Sequence, residues 1–290
     1  MNTKTARQLI IRQLSTRYGN GEAESIALIV MEDAFGLSGK QQKNDETSWA
    51  TEEQTKFHQI LSRLEGGEPV QYVLGEADFF GLKFRVNPSV LIPRQETEEL
   101  VARVLEHLKS ANQASPALLD IGLGSGCIGV TLKKKYPRLR LHGLEKDPAA
   151  LDTARENAGR LLGEGAGFDF LQGDILNRPD WKKFPVLDVI VSNPPYIPFV
   201  EKSVIPEHVL AHEPALALFV SDDDPLLFYR CIANFSLEKL KPGGALFFEC
   251  NEFNAGQVAE LLRQKGFTKV QLLKDLAGAD RIVGGIGHPD

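Results

Sequence analysis

At 290 residues, 42% hydrophobic and 25% charged, the chain is long enough to bury at least one full core, and its length favours two domains. A net charge of −6 argues against a protein that wraps a phosphate backbone, because that affinity comes from clustered Lys and Arg. No run approaches the ~18 to 20 apolar residues of a membrane span, and Met1 to Thr5 lead into a mixed polar helix, so the expectation is a cytoplasmic protein with no membrane partner.

Three stretches carry helical periodicity, Thr3 to Tyr18, Gly21 to Phe35 and Thr51 to Glu65, with polar linkers such as 38–47 between them; they predict a small helical domain over 1–75. Gly66, Gly67 and Pro69 break it. The alternating run Asp78 to Val86, with Gly81 inside, predicts a β-hairpin, making 76–95 a linker. Over 96–290, strands near 118, 139, 168, 187, 244, 267 and 280 alternate with helical segments, the pattern of a parallel sheet with crossovers.

Leu118 to Val130 reads as a strand, a tight turn and a helix, the turn being Gly122-Leu123-Gly124-Ser125-Gly126. Its third glycine comes one residue earlier than in G-x-G-x-x-G, so the turn alone is weak evidence for a dinucleotide. The next strand ends at Glu145, where a carboxylate can accept both hydroxyls of a ribose. Asp174 and Ile175 follow the third strand of this series. After the apolar run Leu187 to Ser192 comes Asn193-Pro194-Pro195-Tyr196. Two prolines stiffen this corner and remove two donors, leaving an Asn side-chain oxygen and backbone carbonyls free to accept both hydrogens of a planar NH2 group beside the Tyr196 ring. Asn-Pro also commonly just closes a strand, and the corner alone divides evenly between the two readings.

Other candidates carry blander readings. His208 and His212, four apart and followed by Glu213, resemble a metal pair, yet no third ligand is evident and Pro214 ends the helix, so no metal is expected. Lys133, Lys134 and Lys135 read as a solvated helix face, and Asp222 to Asp224 as a turn and helix start. Cys127, Cys231 and Cys250 have no Cys-x-x-Cys spacing and read as small core residues.

In their order along the chain, the glycine turn, the acidic strand end and the Asn-Pro-Pro-Tyr corner resemble the Rossmann-like S-adenosylmethionine-dependent methyltransferases. Segments outside that core narrow the resemblance: Gly67 to Gly75, Phe79 to Phe84, Leu91-Ile92-Pro93-Arg94-Gln95-Glu96-Thr97-Glu98-Glu99, His212 to Leu218 and Asp280 to Val283. They are similar to the HemK/PrmC-type glutamine methyltransferases, which modify peptide chain release factors. That resemblance implies an α/β fold, a class I methyltransferase sheet of seven strands with the last antiparallel, behind a helical domain that docks the protein substrate. It implies S-adenosylmethionine bound by Gly122, Leu123, Gly124, Ser125, Gly126, Glu145, Asp174, Ile175 and Asn193. Asn193, Pro194 and Tyr196 would act on the acceptor, with Pro195, Arg94 and Glu98 completing its pocket, although Arg94 and Glu98 could equally form a structural ion pair.

The chain departs from the family pattern at Gln95-Glu96, Leu123, Glu145 and Ile175, and 250–257 reads as a longer loop than usual. Glu145 keeps the carboxylate, while Ile175 offers an aliphatic wall where the family often has Trp. The expected reaction is N5-methylation of the Gln in the Gly-Gly-Gln loop of class I release factors by a monomeric enzyme with no stable nucleic-acid binding. A ribosomal-protein glutamine, N6-adenine of nucleic acid, and a non-catalytic nucleotide-binding protein are the alternatives.

Overall fold

The structure is a computed structural model that describes residues 1–39, 41, 48–163 and 165–287, so most of the expected linker 38–47 lies outside the described residues. The chain divides into two compact units, 1–76 with 206–212, and 77–205 with 213–290.

The first unit is helical. Helix α1 (Thr3–Ile29) starts at Asn2, whose side chain accepts the Thr5 N–H at 2.8 Å. The two helices expected before residue 36 meet with no loop between them: Gly19, at φ 77° and ψ 165°, breaks α1 internally. A π-turn, Val30–Ala34, follows, then α2 (Thr51–Glu65) and the short α3 (Val70–Leu74). Ile10, Leu14, Met31, Phe57 and Leu64 form the centre of this unit's core. The helix Glu207–His212 belongs to it as well, and the His208 ring lies edge-on to Tyr18 at 6.2 Å. His208 is thus an aromatic contact, and among the described residues no group of His, Cys, Asp or Glu could hold a metal.

The hairpin β1 (Glu76–Phe79) and β2 (Leu82–Arg85), of which all but Glu76 belongs to the second unit, is followed by α4 (Gln95–Ala111). Strands β3 (Ala117–Ile121), β4 (Arg140–Glu145), β5 (Phe168–Gln172) and β6 (Leu187–Ser192) follow, with α5 (Cys127–Lys135) and α6 (Pro148–Leu162) as crossovers. A short pair, β7 (Ile197–Pro198) with β8 (Phe219–Val220), flanks the corner. The chain then runs through α7 (Leu227–Lys239), β9 (Leu240–Glu249), α8 (Ala255–Gln264), β10 (Thr268–Lys274) and β11 (Asp280–Ile286). The sheet has seven strands in the order β10-β11-β9-β6-β3-β4-β5, and β11 runs antiparallel to both neighbours.

The central strands are buried on both faces, which is why they read as continuous apolar runs. Leu118, Val189 and Val191 pack with α4, α5 and α6 on one side; Leu119, Ile121 and Ile190 pack with α7 and α8 on the other. Parallel register then fixes the functional edge: Ile121 is level with Leu144 on β4 and Ser192 on β6, and Ser192 with Phe248 on β9. The next residue on each strand is Gly122, Glu145, Asn193 and Glu249. A parallel sheet therefore delivers these residues, far apart in sequence, to its carboxyl edge.

Two expectations change in detail. The basic cluster at the end of α5 is not simply solvated: Lys133 donates to the Pro137 and Leu139 carbonyls, Lys134 to Leu161, and Lys135 sits over the Phe80 ring. The 250–257 segment is a short turn over 251–254, with Asn251 Oδ1 accepting Phe253 N–H at 3.0 Å, followed by the first residues of α8 from Ala255.

Candidate active site

At the carboxyl edge lies an open cleft lined by, among others, Arg94, Thr97, Gly122, Leu123, Gly124, Ser125, Glu145, Asn193 and Pro195. A second hollow shares Gly122, Glu145, Pro195 and Leu216 with it and reaches Asp174, Ile175 and Phe228.

The glycine turn is open towards the cleft. Gly122 and Gly124 have φ of 78° and 52°, and a Cβ built on either would meet nothing within 4 Å. Gly126, at φ 79°, has a further reason to be glycine, since a Cβ there would press on Val130 and Ala154 at 3.3 to 3.5 Å, where α5 meets α6. Leu123 packs its side chain over Gly143, filling the space a Cβ at Gly143 would need. The Glu145 carboxylate braces the turn: Oε2 accepts Gly124 N–H at 2.9 Å, and Oε1 accepts Lys146 and Asp147 N–H at 2.8 and 2.9 Å. Oε1 is filled by its two N–H groups while Oε2 keeps acceptor capacity, and the residue lines both hollows, so Oε2 is the atom placed to accept from a hydroxyl there.

In the second hollow, Asp174 pairs with Lys146 at 2.9 Å and Ile175 is 6% exposed. Phe228 supplies the aromatic surface that Ile175 does not. The residues needed for an adenosine-like group, an acidic strand end, open backbone and an apolar slot, are thus present together.

Beside the cleft, Asn193 presents its side-chain nitrogen to the Thr97 hydroxyl at 3.4 Å. Thr97 and Glu249 are buried, and both Thr97 and Asn193 face the Glu249 carboxyl as hydrogen-bonding groups. Burial pushes this carboxyl up to about 7, against the opposing Thr97 hydrogen bond and the charge of Arg281. Tyr196 packs half-buried against the core on the α7 side, and burial raises its phenol above the usual range, so it is no base at neutral pH.

The sequence-based candidates separate into two groups. Gly122, Leu123, Gly124, Ser125, Glu145, Asn193, Pro195 and Arg94 share the first cleft, and Asp174 and Ile175 the second. Gly126, Pro194, Tyr196 and Glu98 line neither. Arg94 and Glu98 do not form an ion pair: Arg94 is bonded to Glu213 at 2.6 Å, and Glu98 accepts the Phe80 N–H at 2.7 Å on the hairpin side. Of the cysteines, Cys250 is in the core as expected, whereas Cys127 lines the cleft with a thiol that burial pushes up to about 12, leaving it neutral. Thr97, Glu213, Phe228 and Glu249 went unassigned in the sequence reading. Glu249, a carboxylate closing an apolar strand, repeats the signal that marked Glu145.

Residues 97–212 match the profile of the Methyltransferase small domain, and residues 5–75 that of the PrmC N-terminal domain. A release factor glutamine methyltransferase of Bacteroides thetaiotaomicron is 37% identical over 284 residues, covering 98% of this chain and 99% of its own length. Another of the same description, from Flavobacterium psychrophilum, is 42% identical over 229 residues and covers 79% of each. Among solved structures, the hMettl16 catalytic domain aligns with TM-score 0.53 at 16% identity over 82% of each chain. A methyltransferase from Pyrococcus furiosus aligns with TM-score 0.51 at 16% identity, over 82% of this chain and all of its own. These two likenesses are of fold.

Proposed function

The chain belongs to the release factor glutamine methyltransferases, and from that membership we propose that it methylates the side-chain amide nitrogen of the Gln in the Gly-Gly-Gln loop of class I release factors, using S-adenosylmethionine. The observation that carries the reading is the meeting of the open glycine turn, Glu145 and Asn193 on one cleft, at the edge where β3, β4 and β6 end level.

When bound, S-adenosylmethionine supplies an activated methyl on a sulfonium, so the protein must align a nitrogen with it and exclude water. Glu145 Oε2 would accept from a ribose hydroxyl, the backbone at Gly122 to Gly126 would approach the cofactor closely, and Ile175, Pro195 and Phe228 would enclose the base. The harder part is the acceptor, because an amide nitrogen shares its lone pair with its carbonyl. Asn193 Oδ1 and the Pro194 carbonyl would take the two N–H groups, orienting the nitrogen and favouring the positive charge that develops during attack. Tyr196 would bound the acceptor side chain. No strong base is needed, since the methylated nitrogen's proton becomes acidic and leaves to water.

The glycines of the acceptor loop let its backbone approach the corner, and the helical unit 1–75 is the proposed docking surface for the rest of the release factor. We also propose a monomer acting in the cytoplasm; among the described residues no helix is long and apolar enough to cross a membrane.

The test is methyl transfer from labelled cofactor to purified release factor, ribosomal proteins and nucleic acid in parallel. One methyl, about 14 Da, should appear on the loop Gln, and a Gln→Glu acceptor should be refused because a carboxylate has no NH2 hydrogens to offer. Methylation of adenine or a ribosomal protein with the release factor untouched would reject the substrate while leaving the methyltransferase chemistry in place.

A further inference from the structure

An amide side chain can be turned end for end at almost no steric cost, and at Asn193 the two orientations have opposite chemical meaning. With Oδ1 towards the cleft it accepts from an incoming NH2 group; with Nδ2 towards the cleft it repels that group. Two prolines stiffen the backbone of the corner but do not decide which end of the side chain faces out. Whatever stands beside Asn193 decides it.

Beside it stand Thr97, at the cleft wall, and Glu249, which lines no part of the cleft. Glu249 closes β9 immediately after Phe248, the register partner of Ser192, so strand pairing alone brings it beside Asn193. It is 2% exposed, and its Oε2 makes no hydrogen bond. A buried carboxylate with an unused oxygen is costly to keep without a reason. Ionised, it can only accept, so it attracts the NH2 end of Asn193 and repels the oxygen end. The geometry agrees: Nδ2 is the end bonded to the buried Thr97 hydroxyl, at 3.4 Å, and Thr97 and Asn193 both hydrogen-bond towards the Glu249 carboxyl.

We propose that Glu249 is a positioning residue for methyl transfer, its ionised carboxylate drawing Asn193 Nδ2 inward so that Oδ1 faces the acceptor amide in the cleft. The inference rests on the glutamine-methylation reading above and extends it to a residue that touches neither cofactor nor acceptor. Protonated, Glu249 becomes a donor able to hold the Asn193 oxygen, which turns the wrong end outward. Burial first, with Glu96 of α4 adding to it, pushes its carboxyl up to about 7, while hydrogen bonds from Thr97 and Asn193 and the charge of Arg281 on β11 oppose. Tyr196 at the corner, Cys127 of α5, Tyr229 of α7 and Cys250 next along the chain also face it; burial raises all four, so none is charged at neutral pH. Arg281 is bonded to Asp275 at 3.1 Å, so its charge is shared rather than spent on Glu249. Glu249 and Glu96 are therefore the carboxylates here, and Glu249 is the one placed to switch near neutrality.

The experiment measures kcat and KM of the full-length enzyme between pH 5.5 and 9, with S-adenosylmethionine and an intact Gly-Gly-Gln release factor, for wild type, Glu249→Gln, Asn193→Ala and the double variant. Wild-type kcat should fall about tenfold per unit below a midpoint near 7, as expected for one required deprotonation. Glu249→Gln, able to donate to Asn193, should lose about 30-fold or more in kcat, flatten the profile and leave cofactor affinity within threefold of wild type. Because Glu249 acts through Asn193, its replacement in the Asn193→Ala background should cost almost nothing more. A wild-type profile retained by Glu249→Gln, or full additivity in the double variant, would overturn the proposal. If Glu249→Gln does not fold, as circular dichroism would show, the wild type decides: a carbon-13 carboxyl titration of Glu249 must share its midpoint with kcat, and separated midpoints reject the role. A wild-type enzyme that binds cofactor but leaves the release factor unmodified instead rejects the functional reading, and this role with it.

Discussion

Arg94 and Glu213, 119 residues apart in sequence, form a 2.6 Å ion pair that ties the segment before α4 to the turn at Pro214. The Glu213 side chain is 1% exposed and its second oxygen accepts the Ile92 N–H at 3.2 Å, while Arg94 remains 36% exposed on the cleft wall. One buried carboxylate thus closes two main-chain segments around the site. Removing it leaves the Ile92 N–H unpaired and Arg94 without its counter-ion. Glu213→Ala should cost about 2–3 kcal/mol, below the range for a wholly buried pair because Arg94 is part solvated. Glu213→Gln, which retains an acceptor for Ile92, should cost about half that. Denaturant unfolding measures both, and an alanine variant as stable as wild type would show that the pair does not clamp the wall.

Glu145 has two jobs that its variants should separate. Its carboxylate accepts three backbone N–H groups of the glycine turn and of its own strand end, so Glu145→Ala should lower stability by about 1–2 kcal/mol as well as weaken cofactor binding by about 1.5–3 kcal/mol. The three intramolecular bonds are the reason a folding cost is expected beside the binding loss. Glu145→Asp, with a carboxylate drawn back by one methylene, should recover part of the stability and little of the affinity. Calorimetric titration with S-adenosylmethionine beside thermal unfolding checks this, and wild-type affinity for the alanine variant would take Glu145 out of the site.

Asp120 makes folding pH-dependent in an unusual direction. It is fully buried, Oδ2 accepts the Gly129 N–H at 2.9 Å, and Oδ1 has no hydrogen bond. Burial first, then the charge of Glu145, pushes its carboxyl up to about 8 against that single N–H bond. The folded protein therefore holds a proton that the unfolded chain has released above its ordinary carboxylate range. Stability should be greatest at the acid end of this window and fall as pH rises from about 4 towards 8. In wild type, Tm at pH 6 should exceed Tm at pH 8.5 by ~3 °C or more, and Asp120→Asn should shrink the difference. A Tm that rises over this interval would show that Asp120 is ionised in the folded state.

Much of this site could be read from the chain because its parts are local. A glycine turn, a strand-ending carboxylate and a diproline corner each announce themselves within a few residues, and the apolar runs gave the strands that carry them. What could not be read depends on register. Thr97 and Glu249 join Asn193 only because α4 packs on the sheet and Ser192 pairs with Phe248, and no short segment records that alignment. Glu98 shows the converse: only four residues after Arg94, it lies on α4 while Arg94 is the extended residue before that helix, and it meets the Phe80 N–H and lines neither hollow. Gly19 made a break legible, but periodicity could not distinguish a broken helix from two helices with a loop.

Asn193 offers the sharpest separation of binding from chemistry. Its side chain lines the cleft, while its backbone conformation is held by the following prolines, so Asn193→Ala should leave the corner's shape and the glycine turn intact. Cofactor affinity should change by less than about threefold, since Glu145 and the turn make their contacts independently of it. Turnover should fall by two or more orders of magnitude, comparable to losing one donor from an oxyanion hole, because the bond to the acceptor NH2 strengthens only as the nitrogen becomes positive. The loss should sit in kcat, with KM for the release factor little altered, since most of the protein contact lies elsewhere. Asn193→Asp tests the same point by charge: an acceptor oxygen is kept, but a carboxylate facing buried Glu249 forces one of the two to take a proton, so activity should return only over a displaced pH range. Turnover of the alanine variant within threefold of wild type would leave the Asn-Pro-Pro-Tyr corner as a strand-closing turn and send the search for the amide-orienting group to other walls of the cleft.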